Sequence, residues 1–418
     1  MVVTVVVGMA YGDEGKGRAV DNLSEKADAV VRFQGGANAG HTLYVNGEKT
    51  VLHLIPCGAL YPEVDCYLAR GMVIDPKTFL TEIEELKEKG VSMEGRLFIS
   101  DKAPLIMPWH IKLDEAREKG DGSIGTTKRG IGPCYEQFVA RQAIVASDLR
   151  DPELAIKKIE TFYSERAAML FSHFDWDYDN DSKFSYVQDV VEQFRKDYET
   201  TYSKLVPYIC DVESTLRRRV REGHNIVLEG AQGTFLDVGI GSYPYVTSSH
   251  TTSAGACTGS GLAPRAIDHV VGVSKAYVTR VGDGPFHTEL DVDHPVAQHL
   301  QKVGKEFGAT TGRPRRCGWL DIDQLCEAAE INGCDQIVLT KLDVLSGLAT
   351  IKVKIANEYA EFEGWDEDIS GVRSLENLPE QAQKYVKWID SQVQKVGSRI
   401  SSVSVGPNRD EIFSFPSS

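Results

Sequence analysis

The chain has 418 residues, 42% apolar and 26% charged, and its 46 Lys+Arg against 61 Asp+Glu leave a formal net charge of −15. That composition excludes a disordered chain and is long enough for one large α/β unit or two ordinary ones. The acidic balance speaks against general binding to nucleic acid or anionic membrane, although a local arginine cluster can still take small anions.

No apolar stretch approaches the ~20 residues of a membrane span. The opening run Val2–Val7 is too short, and too uncharged in front, for a signal peptide. Eight cysteines, at 57, 66, 134, 210, 257, 317, 326 and 334, form no CxxC pair. Reduced thiols in a cytoplasmic protein are the expectation.

In chain order, VVTVVVG reads as a buried strand with a glycine turn, running into GMAYGDEGKG (8–17). Closely spaced glycines there let main-chain amides approach an anion, and the helix that follows adds positive potential. Lys16 can set a point charge on phosphate. It lies eight residues after Gly8 and precedes Gly17, so this is not a Walker A loop, which needs GxxxxGK and then Ser or Thr. Two carboxylates in such a loop would repel a phosphate unless a metal or a proton transfer compensates. Asp13 reads as a chemical residue or a helix cap, and Glu14 equally as a structural salt bridge. Arg18 faces phosphate or solvent.

A second apolar run, Ala29–Phe33, leads into QGGANAGHT, where Asn38, His41 and Thr42 offer polar tips. His41 is a candidate general acid or cationic phosphate contact. The Gly40 carbonyl is available to a metal, and Thr42 alternatively opens a strand. VLHLIP and CYLARGMVID are further strand candidates. Pro76–Lys89 is an amphipathic helix capped by Asp75, with Phe79, Ile83 and Leu86 on one face.

Residues 120–133, GDGSIGTTKRGIGP, are glycine-dense and read as a mobile loop. From about 150 to 222 the text is mainly helical, broken by DWDYDNDS. HNIVLEGAQG (224–233) returns to strand and glycine turn, and VSKAYVTRVG reads as another strand. In GATTGRPRRCGWLD (308–321), Thr310, Thr311, Arg313 and Arg315 suit an acidic ligand, while Arg316 is assigned to folding contacts. Thr126, Thr127 and Arg141 form a second polar set, and Gln232 with Thr247 a third.

VLTKLDVL places Lys341 and Asp343 after a strand. A carboxylate there accepts from N1–H and the exocyclic amine of guanine, a donor pair adenine lacks, while lysine covers the ring face. A helix near 379–396 and a strand RISSVSVG close the chain. SVSVGPNR offers Ser404 and Gly406 as main-chain contacts over a base.

Together GDEGKG, RFQGGANAGHT, GIGP, LEGAQGTFLD, YPYVTSS, TTGRPRRCGW, TKLDVL and SVGP resemble the adenylosuccinate synthetase family along essentially the whole chain. The resemblance implies one large α/β domain over 1–418 with a mainly parallel central sheet. It would be distantly like P-loop GTPases, with helical insertions including about 150–222. It implies a cytoplasmic homodimer in purine biosynthesis that uses Mg²⁺ and GTP to join L-aspartate to IMP, with no nucleic acid or membrane partner.

Carried over residue by residue, it makes Asp13 the catalytic base and His41 the acid, with Asp13 and the Gly40 carbonyl on Mg²⁺. GTP would lie on Gly12, Asp13, Glu14, Gly15, Lys16, Gly17, Arg18, Gly40, His41, Thr42 and Arg315, and its guanine on Lys341, Leu342, Asp343, Ser404, Val405 and Gly406. IMP would meet Asp13, Lys16, Asn38, Ala39, Gly40, His41, Thr127, Gln232, Thr247 and Arg313, with Arg141 supplied from the neighbouring subunit. Aspartate would be held by Ala309, Thr310, Thr311, Gly312, Arg313, Pro314 and Arg315.

Met9, Ala10, Tyr11, Arg70, Lys128, Gln142, His250, Ser346 and Asn408 depart from the usual family text. They leave the reaction class intact but open a related ligase acting on dGMP or another 6-oxopurine nucleotide. A non-catalytic GTP-binding regulator is the remaining alternative.

Overall fold

Val3, Val5 and Val7 turn to one side of the first strand and Val6 to the other, and all four are fully buried. A strand buried on both faces belongs inside a covered parallel sheet. The computed structural model describes residues 2–45, 48–120, 123–173, 182–308 and 312–416.

The central sheet has ten strands: β1 (Val3–Gly8), β2 (Ala29–Arg32), β3 (Asp65–Leu68), β4 (Leu97–Ser100), β5 (Ile209–Cys210), β6 (Ile226–Glu229), β7 (His269–Lys275), β8 (Gln336–Thr340), β9 (Arg399–Ser404) and β10 (Ile412–Ser414). Their order is β10-β9-β8-β7-β1-β6-β2-β3-β4-β5. Only the β9–β10 pair is antiparallel. In register, Val5 lies between Leu228 and Val270.

The helices α1 (Lys16–Ser24), α2 (Pro76–Glu88), α3 (Pro108–Arg117), α4 (Ile131–Val139), α5 (Pro152–His173), α6 (Ser182–Thr200) and α7 (Val212–Glu222) follow in chain order. Val20 of α1, Phe79 and Leu86 of α2 and Ile159 of α5 share one core with Val6 and Val30. Leu216 of α7 packs with Leu325 and Ile389, from helices Ile322–Asn332 and Glu380–Val393, against Val3 and Val5. The α/β architecture with a mainly parallel sheet is therefore as expected, and ligands are placed at the carboxyl ends of its strands. Among the described residues no helix is long and apolar enough to cross a membrane.

Asp75 caps α2 as expected, accepting from the amides of Lys77 and Thr78. Two local expectations need correction. VSKAYVTRVG is not one strand: β7 ends at Lys275, Ala276 donates to Thr340 O, and Val278–Arg280 pairs instead with Arg316–Gly318. The mobile loop does not run to 133, because Gly130 (φ 72°) starts α4. A Cβ at Gly130 would stand 2.8 Å from the main-chain nitrogen of Ile111, so glycine density there reflects close packing.

The described part of that loop, 123–129, is tied to α3 by side-chain contacts. Glu118 accepts from Ser123 Oγ and the amides of Ile124 and Gly125, and Asp114 from Thr126 Oγ1 and the Gly130 amide. The stretch from about 150 to 222 is mainly helical, and the two-residue β5 joins the sheet edge between α6 and α7. Of the polar break DWDYDNDS within it, only Ser182 lies inside the described residues.

Candidate functional site

A cleft of about 800 Å³ opens at the carboxyl ends of β1, β2, β6, β7, β8 and β9. The first glycine loop forms its floor. Gly15 begins α1, and no side chain caps that helix, so the amides of its first turn are left for an anion.

Glu14 is buried. It accepts from the amides of Ala10 (3.1 Å) and Gly12 (2.8 Å) and from Lys16 Nζ (2.6 Å). Its carboxylate thus braces the loop, and only its main chain is left for a ligand. Asp13 sits at φ 61° and is not the helix cap. Its part-exposed carboxylate stands 2.9 Å from Arg315 Nε.

His41 begins the hairpin strand His41–Val45, which leans on α1. Gly17 allows that approach, since a Cβ there would fall 2.9 Å from His41 Cβ. Behind the ring, Glu229 at the end of β6 is fully buried. It takes His41 Nδ1 at 2.5 Å, the Cys57 amide at 2.8 Å and the Cys57 thiol at 3.2 Å, with Arg32 at 4.0 Å.

Burial pulls His41 below the usual imidazole range against the raising pull of Glu229. Burial would push the Glu229 carboxyl up, yet its bond to His41, with Arg32 and the Cys57 amide, holds it low. Because Glu229 engages Nδ1, contact with a ligand falls to Nε2. His41, Cys57 and Glu229 converge within 4.8 Å, close enough to be tested as a metal cluster.

At the other end, Lys341 (φ 62°) donates to Gly304 O at 2.7 Å. Asp343 keeps a buried, unpartnered Oδ1, and burial raises its carboxyl above the usual range. Arg18 donates to Ser404 Oγ at 2.6 Å and to the carbonyls of Gly406 and Asn408, so α1 reaches from the phosphate floor to the base loop.

The cleft brings together Gly12 through Arg18, Asn38 through Thr42, Thr127, Gln232, Thr247, Arg315, Lys341, Asp343, Ser404 and Gly406. Leu342 and Val405 are buried beside it and can offer only main chain. Gly312, Arg313 and Pro314 do not line it, and Arg313 reaches Gly125 O at 3.4 Å. Arg141 is exposed and also off the cleft. Ala309, Thr310 and Thr311 lie outside the described residues. Arg316 makes folding contacts as expected, to Glu289 and the carbonyls of Gly282 and Gly284.

Sequence reasoning missed three residues. Glu229 had a signal, a carboxylate at the end of an apolar strand just before a glycine turn. Arg280, over the Tyr11 ring at 4.4 Å, and Glu306, which is fully buried, had none.

A profile of the adenylosuccinate synthetase family matches residues 5–358 and 354–413. The chain is 45% identical to an adenylosuccinate synthetase of Caldanaerobacter subterraneus, with 98% of each chain covered. It is also 45% identical to that of a Psychrobacter species, covering 97% of this chain and 96% of the relative. Among solved structures it is similar to a fully ligated adenylosuccinate synthetase of Plasmodium falciparum, with TM-score 0.86, 38% identity and 99% and 100% of the two chains covered. A cyanophage succinoaminodeoxyadenylate synthetase bound to dGMP and dATP shares the fold at TM-score 0.66, 20% identity and 100% and 96% coverage.

Proposed function

The chain belongs to the adenylosuccinate synthetase family, and on that premise we propose that it joins L-aspartate to IMP at the expense of GTP, giving adenylosuccinate, GDP and phosphate. The observation that carries this reading is the convergence, in one cleft, of Asp13, the His41–Glu229 pair and the open carboxylate of Asp343.

The Asp343 carboxylate, one oxygen of which is unpartnered, accepts from guanine N1–H and the 2-amino group, and Lys341 covers the ring. The first-turn amides of α1 and Lys16 hold phosphate oxygens. Asp13 takes the N1 proton of IMP, which makes O6 the nucleophile toward the γ-phosphorus as the bond to GDP breaks. His41 donates from Nε2 to the phosphoryl oxygens as charge develops, with Glu229 supporting the charged ring. The aspartate amine then adds at C6, a proton leaves the nitrogen, and phosphate departs. Arg315 neutralises charge at that end. Enclosure matters, because water would consume the 6-phosphoryl intermediate.

The carboxylate of Asp13 and the carbonyl of Gly40 are hard oxygen donors on the cleft wall and suit Mg²⁺, which would supply neutralisation of phosphate charge. The His41–Cys57–Glu229 group suits it poorly. It mixes N, S and O donors, and its carboxylate is already spent on the ring, the amide and the thiol. Exposed Arg141, beside Val139 at 77% exposure, fits a role in a neighbouring subunit's site within a homodimer.

The test is a mass-spectrometric assay with Mg²⁺, GTP and aspartate, with IMP in one tube and dGMP in another. Adenylosuccinate with matched GDP release is expected in the first. Product in the dGMP tube alone overturns the substrate, and bound GTP with no ligation in either overturns the reaction.

A further inference from the structure

Glu306 lies at the neck of the loop that carries Arg313 and Arg315. Its carbonyl accepts from the Arg315 amide at 2.9 Å, and one residue further in, Phe307 bridges Pro314. Its side chain is 0% exposed, too costly a place for a carboxylate unless every lone pair is used.

They are used by groups from three directions. Lys275 Nζ, at the end of β7, donates to both oxygens at 2.9 Å. Tyr277 donates its hydroxyl to Oε1 and Arg315 donates Nη1 to Oε2, both at 2.5 Å. Lys341 Nζ stands 3.9 Å away, and its own hydrogen bond goes to Gly304 O, two residues before Glu306. The lysine assigned to the guanine face and an arginine assigned to both GTP and the acidic substrate therefore lean on one buried carboxylate. Neither lysine nor arginine can move without disturbing its charge balance.

We propose that Glu306 is a positioning residue that couples the guanine end of the cleft to the segment 312–315. Occupation of the base site, by fixing Lys341, fixes Arg315 and the loop neck through Glu306, so GTP prepares the place where the acidic substrate is held. This rests on the ligase reading for the identity of the two ligands, and the geometry of the carboxylate is independent of it.

The experiment compares the full-length protein with Glu306→Gln, which keeps shape and removes charge. It measures KM for each of three substrates and amide exchange over residues 312–316 with and without GDP. The expected result is KM for GTP and aspartate each raised ~10-fold, the loss of a charge-assisted contact, with a smaller rise for IMP, which Arg313 of the same segment also serves. GDP should protect 312–316 in the wild type and not in the variant. Unchanged KM values, a parallel rise in all three, or equal GDP-dependent protection in both proteins overturns the proposal. So does a wild type that GDP does not protect.

Should Glu306→Gln not fold, Tyr277→Phe removes a single hydrogen bond to the same carboxylate. A weakened GDP-dependent protection is expected there, and full wild-type protection overturns the proposal. If the wild type makes no adenylosuccinate, the ligase reading fails, while the exchange measurement still decides the coupling.

Discussion

Nδ1 of His41 lies 2.5 Å from Oε1 of Glu229, across 188 residues of sequence, and both groups are buried. The carboxylate is the largest influence holding the ring's proton against burial, which pulls the other way. Glu229→Gln removes that charge, so the imidazole titrates lower still. If protonated His41 is the working form, activity is lost as pH rises through its pKa, and the basic limb of kcat moves to lower pH in the variant. A kcat decrease of ~10² at neutral pH is expected. A pH–kcat profile of the two proteins checks this, and an unmoved limb removes Glu229 from the mechanism.

Asp13→Asn separates chemistry from folding. Asp13 holds φ 61°, a conformation asparagine tolerates better than most residues, and its side chain makes one ion pair, to Arg315. The variant should fold and still bind GTP, while ligation drops by ~10²–10⁴ through loss of the base. Circular dichroism, GDP titration and product analysis together test it. Retention of more than a tenth of wild-type turnover would assign proton removal elsewhere.

Gly17→Ala sets two effects against each other. Alanine favours a helix over glycine by roughly 0.5–1 kcal/mol, so α1 should gain stability if nothing else moves. The new Cβ, however, falls 2.9 Å from His41 Cβ and 3.3 Å from Cγ, which forces the ring off Glu229. The expected outcome is near-wild-type thermal stability with kcat reduced ~10-fold or more. Full activity would mean that the hairpin at His41 yields without cost.

Parts of this site were legible because their physics is local. The spacing of glycines and Lys16 describes a phosphate floor within ten residues, and Asp75 caps α2 through amides two and three residues away. The Lys341–Asp343 element follows its strand directly. Glu306 was not legible, and the strand-end position of Glu229 gave only part of its role, because their partners are distant in sequence. His41 is 188 residues from Glu229, and Lys275 is 31 from Glu306. Glycine density misled at 120–133 for the converse reason. Gly130 is required by the main chain of Ile111 in α3, a contact between elements rather than a local one. The carboxylate brace of Glu14 lies between. Its ion pair with Lys16 could be foreseen, whereas its bonds to Ala10 and Gly12 depend on how the loop closes.

Asp343→Asn should exchange guanine for xanthine. The wild-type carboxylate, with Oδ1 buried and unpartnered, accepts from both N1–H and the 2-amino group of guanine. An amide presents one donor, which repels the 2-amino group but pairs with the 2-carbonyl of xanthine. KM for GTP is expected to rise ~10²-fold and KM for XTP to fall below it. Equal losses for both nucleotides would show that Asp343 supports the fold instead of reading the base.

Glu306 makes acid stability a test of the buried network. Lys275, Lys341 and Arg315 outweigh burial and hold its carboxyl at about 2, against the usual 4.5. A carboxyl depressed on folding stabilises fully above its unfolded pKa, and that contribution is lost as pH falls through the folded value. The window is therefore between about 4.5 and about 2, and the contribution at neutral pH is on the order of 3 kcal/mol. In the wild type, the denaturation midpoint should fall steeply across the upper part of this window. In Glu306→Gln, which cannot titrate, the midpoint should start lower at neutral pH and fall less. The difference follows from three cations competing for one carboxylate, so it should shrink little in added salt, because the pairs are shielded from solvent. Urea melts at pH 7 and pH 3 measure both quantities, and parallel curves for the two proteins would show that the charge of Glu306 is not what holds the loop neck.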